Sequence, residues 1–254
     1  MAFPGPVPTG TIDPVLYQDR ALSNLLAHET AFVTSTACYQ TVQTEVTVGM
    51  RIILGTWMRS VARAHQADGS VLPLAISILD RYLQCRSIPR QRFQRLGAAC
   101  LFLASKIRDL NPFKADFLCF CAADDFSVAD LLKQEKSILK ALRWKLEAVL
   151  PTDAIGPALF KSGFTKEQVF ALHSQVVESV HKAIVNPATG ELSPSLVAAA
   201  CALFSLGAAA PPPASLAKAI GVSAEALTAA AESVSATLLE FDEDRILSNA
   251  RGSS

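Results

Sequence analysis

Between Val48 and Ala64, the residues Met50, Ile53, Leu54, Trp57, Met58 and Val61 recur at three- and four-residue steps, the period of a helix with one buried face. Gly69-Ser70 breaks the run. A second stripe, Leu72, Ala75, Ile76, Leu79 and Leu83, predicts a helix from Val71 to about Leu83, with Pro73 tolerated in its first turn. From Leu96 to Ala104 the periodicity disappears because no side chain is charged or strongly polar. The stretch is too short to cross a bilayer and lacks β-branched residues, so it predicts a helix surrounded by other helices. It closes on Lys106, where a cation meets unpaired carbonyls and the negative end of the helix dipole. Lys114 to Ala122 forms a shorter apolar helix, and Ser127 caps another that runs to about Leu142, with Asp130 as its N3 partner.

A short helix from Tyr17 to His28 precedes this set, with Leu22, Leu25 and Leu26 on one side. After Trp144–Pro151 a second set of five follows, near 153–162, 165–184, 193–208, 213–220 and 223–240, with Thr165, Ser193 and Ser223 as N-caps. Ala98-Ala99-Cys100 in the first central helix is echoed by Ala199-Ala200-Cys201 in the third helix of the second set, and the matching number and order of helices indicates duplication. The echo does not extend to polar residues: Asp80, Lys106 and Glu135 stand opposite His181, Gly207 and Ala236. The sequence therefore predicts an all-α fold of two tandem five-helix units, 16–150 with its preceding helix and 151–245, between flexible tails at 1–15 and 246–254.

At 254 residues with balanced charge, the chain suits two domains and lacks the overall basic field that nucleic-acid or membrane binding uses. Arg86, Arg90, Arg92 and Arg95 form the one basic cluster, read as a solvated turn in preference to a phosphate site. The six cysteines show no zinc spacing and read as buried free thiols of a reducing compartment. Pro4, Gly5, Pro6 and Pro8 break any secretory h-region, so the expectation is an intracellular protein with no membrane span, metal or cofactor. His28, His65, His173 and His181 are scattered without a nucleophile, and no phosphate-binding glycine loop is present, which disfavours an enzyme.

Four pieces in register resemble the cyclin box: Met50-Arg51-Ile52-Ile53-Leu54-Gly55-Thr56-Trp57-Met58, Leu79-Asp80-Arg81-Tyr82-Leu83, Leu103-Ala104-Ser105-Lys106 and Glu135-Lys136-Ser137-Ile138-Leu139. Thr56-Trp57-Met58, Leu72-Pro73-Leu74-Ala75 and Leu142-Arg143-Trp144 look most like D-type cyclins, and the compact two-unit chain is similar to those of gammaherpesviruses. The resemblance implies a regulatory subunit that forms a heterodimer with a host cyclin-dependent kinase and activates it, promoting cell-cycle progression in nucleus and cytoplasm. A cyclin-fold transcription factor or adaptor is the alternative, although the basic stripe expected of the former is not seen.

By resemblance, Lys106 and Glu135 grip the kinase backbone, with Ile107, Leu139, Trp144 and Leu146 as the apolar part of that contact. Met50, Ile53, Leu54, Trp57 and Gln94 match a groove that docks arginine-x-leucine motifs of substrates and inhibitors. Ser60 stands where many cyclins have an acid to meet the motif's cation, and Arg95 replaces a usual leucine, so that docking is expected to be weakened. Arg51 and Asp80 lie among apolar neighbours on successive helices and by resemblance form a structural ion pair.

Overall fold

The structure, a computed structural model, describes residues 19–251. The expected 1–15 tail and the start of the first helix at Tyr17 lie outside the described residues. The described residues are helical with irregular connections and no strand. After α1 (Asp19–His28) and a single turn, α2 (Cys38–Thr41), the first unit comprises α3 (Val48–His65), α4 (Val71–Cys85), α5 (Phe93–Arg108), α6 (Ala115–Cys121) and α7 (Val128–Ala141). The second comprises α8 (Pro151–Lys161), α9 (Lys166–Ala183), α10 (Pro194–Leu206), α11 (Pro213–Ile220) and α12 (Ala224–Glu240). A last helix, α13 (Glu243–Arg251), occupies much of the stretch expected to be a flexible tail, and it packs on α3.

The two apolar runs form the axes of their units. Residues 96 to 104 of α5 are all buried, as are Ala198 to Ala202 of α10. α5 is flanked by α4 and α7, and α10 by α8, α9 and α12. Burial pushes the Cys201 thiol up to about 12 and raises that of Cys100, so these cysteines serve as small apolar fillers. Cys85, by contrast, is exposed. Small residues permit close helix approach: a Cβ on Gly97 would lie 2.7 Å from Cδ1 of Leu54, a buried side chain of α3.

Caps fix the helix starts. Ser127, Thr165 and Ser223 accept the N3 amides of their helices, and Ser127 also donates to the Asp130 carboxylate at 2.7 Å. Ser193 makes no such bond. The start of α10 is instead capped from far away in sequence, where Glu29 accepts from the Ser195 amide and from its hydroxyl, both at 2.8 Å. Glu29 is only 6% exposed. It belongs to the turn after α1, and α1 itself rests against α8 of the second unit.

α3 joins the two units through the stripe Arg51, Gly55, Arg59, spaced four residues apart and therefore on one face. A Cβ on Gly55 would sit 2.6 Å from Nη1 of Arg51 and 3.5 Å from the Val185 backbone, so glycine lets the second unit approach. Arg59 is 2% exposed; its guanidinium donates to Glu178 of α9 and Glu243 of α13 and lies 5.2 Å from the Phe241 ring centroid. His181 meets the Gly69 carbonyl at 2.7 Å across the same junction.

Candidate functional site

α3 turns its other face outward. Met50, Ile53 and Trp57 of α3 and Gln94 of α5 are half-buried, Met50 and Trp57 packed against the core, while Leu54, 5% exposed, belongs to the core itself. The Trp57 indole N–H donates to the Cys121 carbonyl at 3.4 Å, fixing the ring against the end of α6. Periodicity alone would bury all of these residues. The Ser60 hydroxyl is engaged with the Trp57 carbonyl at 2.8 Å and presents no charge. Arg95 is drawn away from solvent to within 3.7 Å of Asp130, so it does not belong to a solvated turn as the basic cluster suggested.

Arg51 and Asp80 form the expected pair in full. Nε donates to Oδ1 at 2.7 Å and Nη2 to Oδ2 at 2.9 Å, a two-point fork. The remaining donor capacity reaches the second unit, with Nη1 3.3 Å from the Val185 carbonyl and Nη2 3.5 Å from that of Ile184. Both partners are buried, so each hydrogen bond replaces lost water. The role is broader than locking α3 to α4: it ties both to the second unit.

Lys106 and Glu135 come from α5 and α7, which run side by side, and their side chains meet at 2.6 Å. The lysine also stands 3.7 Å over the Phe102 ring, one turn earlier on its own helix. The Lys106 side chain is 40% exposed and that of Glu135 14%, so the pair lies at the surface with the lysine outermost. Its base is rigid. Buried Ser105 donates to the Phe102 carbonyl and accepts the Phe113 amide at 3.1 Å, holding the end of α5 to the loop that follows.

Of the residues expected to accompany this pair, Ile107 is 37% and Trp144 74% exposed, and Leu139 is half-buried. Leu146 departs from the expected set: at 9% exposure it belongs to the core. The cause is Arg81 of α4, whose guanidinium donates to the Lys145 carbonyl at 2.8 Å and the Leu146 carbonyl at 2.7 Å and pulls the chain inward after Trp144. Three of the histidines take part in packing, whereas His28 is exposed. His65 lies against Phe113 and Phe117, and burial lowers the pKa of both His173 and His181. Among the described residues no group of three His, Cys, Asp or Glu could hold a metal ion, and no helix is long and apolar enough to cross a membrane.

Sequence reasoning missed Glu29, Arg81, Arg59, Glu178 and Glu243. Arg59 did leave a signal, since it falls eight residues after Arg51 on the same stripe; the carboxylates that neutralise it lie too far along the chain for local patterning to find.

Two five-helix units, joined through buried arginines of α3 and bearing a lysine–glutamate pair at the surface, define an all-helical, two-unit protein. Residues 20–147 match the family described as cyclin, N-terminal domain, and residues 148–246 that described as K cyclin, C terminal. A cyclin homolog of Saimiriine herpesvirus 2 (strain 11) is 38% identical over 189 residues, 74% of each chain. The human G1/S-specific cyclin-D1 is 34% identical over 193 residues, 74% of this chain and 65% of that protein. The X-ray structure of a viral cyclin from herpesvirus saimiri superposes with a TM-score of 0.82 at 32% identity, covering 88% of this chain and 99% of the other. A chain of the CAK complex of Chaetomium thermophilum shares the fold alone, with a TM-score of 0.56 at 12% identity over 91% of this chain and 78% of that one.

The chain belongs to the cyclin family, with the viral and D-type likeness its sequence motifs indicate. Cyclins are regulatory, non-catalytic subunits of kinases, and this chain is of that kind.

Proposed function

We propose that this cyclin binds a host cyclin-dependent kinase through the surface centred on Lys106 and Glu135 and thereby activates it, promoting cell-cycle progression wherever the kinase resides, in nucleus and cytoplasm. The observation that carries the reading is the preformed surface pair at 2.6 Å, its lysine 40% exposed, with Ile107 next along α5, Leu139 one turn along α7 and the exposed Trp144 in the turn after it. Lysine offers only donors and glutamate only acceptors, so on docking the two can separate and take up the carbonyls and amides of an irregular backbone. A kinase needs its catalytic lysine and regulatory-helix glutamate paired before phosphoryl transfer. A rigid surface that binds only the inward position of that helix shifts the population toward it by its differential affinity.

The test is recovery of a kinase from dividing-cell lysate, assayed for histone phosphorylation, with the wild-type chain and with Lys106→Ala/Glu135→Ala. The variant should lose at least about tenfold in kinase affinity. Undiminished affinity would end the clamp reading, and a recovered kinase without activity would favour an adaptor. Met50, Ile53, Trp57 and Gln94, half-buried and therefore partly accessible, favour a second contact, with arginine-x-leucine motifs of substrates or inhibitors. Uncharged Ser60 leaves that contact mainly apolar and weaker.

A further inference from the structure

Overall neutrality conceals a division of charge. Residues 1–147 carry 17 lysines and arginines against 13 acids, whereas residues 148–254 carry six against ten. Within the first unit, Lys106, Arg108, Arg95 and Lys133 each face a carboxylate. Lys136, Lys140, Arg143 and Lys145 face none within ion-pair distance among the described residues, and all four are exposed. They lie on α7 and the turn that ends it.

Their placement relative to the lysine–glutamate pair follows from helix geometry. Glu135 and Leu139 are one turn apart on the side of α7 that meets Lys106; Lys136 and Lys140 each come one residue later, about 100° further around the axis. They flank the pair without covering it. α7 then ends in a left-handed turn, with Arg143 at φ 51° and Trp144 at φ 63°. The Trp144 amide donates to the Leu139 carbonyl at 2.9 Å and that of Arg143 to Lys140 at 3.2 Å, the pattern usually closed by glycine. Arginine and tryptophan occupy the strained positions, which project a cation and an indole that is 74% exposed. Arg81 pins the next carbonyl, Lys145, at 2.8 Å. The four cations thus stand on a hydrogen-bonded backbone next to the exposed Trp144.

We propose that Lys136, Lys140, Arg143 and Lys145 form a cationic rim that steers an acidic face of the kinase onto α7, so that charge sets the rate of assembly and the lysine–glutamate pair with its apolar neighbours sets the lifetime. The proposal rests on the kinase reading above and names the chemistry of the partner face: aspartates and glutamates bordering the segment that Lys106 and Glu135 hold. Rim charges act through a field that falls off over about 10 Å at 0.1 M salt, and they alter association rates and salt dependence more than dissociation.

The experiment is stopped-flow association of the full chain with a purified cyclin-dependent kinase that the wild type binds, across about 50 to 500 mM salt. It compares the wild type with Lys136→Glu/Lys140→Glu/Arg143→Glu, with Lys106→Ala/Glu135→Ala, and with Lys218→Glu as an exposed charge reversal in the second unit. The rim variant should associate at least about tenfold more slowly at low salt and lose the wild type's salt slope, with a dissociation rate within about twofold. Lys218→Glu should match wild type. An unchanged association rate, or a change confined to dissociation, overturns the rim. A normal clamp variant beside a slow rim variant overturns the clamp and keeps the rim; wild-type failure to bind any such kinase overturns both.

Discussion

Asp80 holds Arg51 in a two-point fork at 2.7 and 2.9 Å, and the same guanidinium lies 3.3 Å from the Val185 carbonyl in the second unit. One buried pair therefore secures α3 to α4 and the first unit to the second. Asp80→Ala leaves a buried guanidinium with only carbonyl dipoles. It should cost about 3 kcal/mol or more, a fall in Tm of roughly 6–12 °C for a chain of this size. A melt within about 1 °C of wild type would show that the pair bears no structural load.

The lysine–glutamate pair at the surface should behave differently. With the Lys106 side chain 40% exposed, solvent screening limits its contribution, and Lys106→Ala/Glu135→Ala should change stability by less than about 1 kcal/mol. Helical content and melting stay close to wild type while kinase affinity falls. A large loss of stability would assign the pair to the fold instead.

His181 gives the unit junction a pH dependence. Burial lowers its pKa, against the upward pull of the Gly69 carbonyl and Glu178, so the folded chain holds it neutral while it donates to that carbonyl. Below the ordinary imidazole pKa of about 6.5 the unfolded chain takes up a proton that the folded chain resists. The contribution of His181 is complete above about 6.5 and is lost as pH falls toward its lowered folded value. His181→Gln, which keeps a donor and cannot titrate, should flatten the decline in Tm between about pH 7.5 and 5.5. An identical slope in the variant would remove His181 as the source.

Arg143 occupies a left-handed position, φ 51°, that glycine adopts without strain. Arg143→Gly should raise stability by about 1 kcal/mol in chemical denaturation. If the rim steers the kinase, the same variant associates more slowly, a trade of function against stability. Loss of stability would show that the arginine has packing worth more than the strain.

Much of this fold is legible in the sequence because helical periodicity is a local signal. α3, α4, α7 and α9 begin within a residue of where their apolar stripes and caps place them, and the silent stretch from Leu96 to Ala104 reads as buried because nothing in it requires water. α13 was missed because its sequence is mostly polar, and it is held by Glu243 reaching arginines of α3, a pairing across about 180 residues that leaves no periodic trace. The site divides in the same way. Arg51 and Asp80 are marked by charge in apolar surroundings, whereas Leu146 is set by Arg81, whose carbonyl partners leave no mark in composition.

The bond from Glu29 to Ser195 makes the second unit discontinuous along the chain. A fragment beginning at α8 would contain every helix of that unit and still lack the carboxylate that closes the start of its axis. During synthesis the residues that supply this cap emerge before any of the first unit, and they must wait until α10 is made. The segment that carries Glu29 thus reaches its partner only after α10 is made, and the first unit lies within the loop that this bond closes.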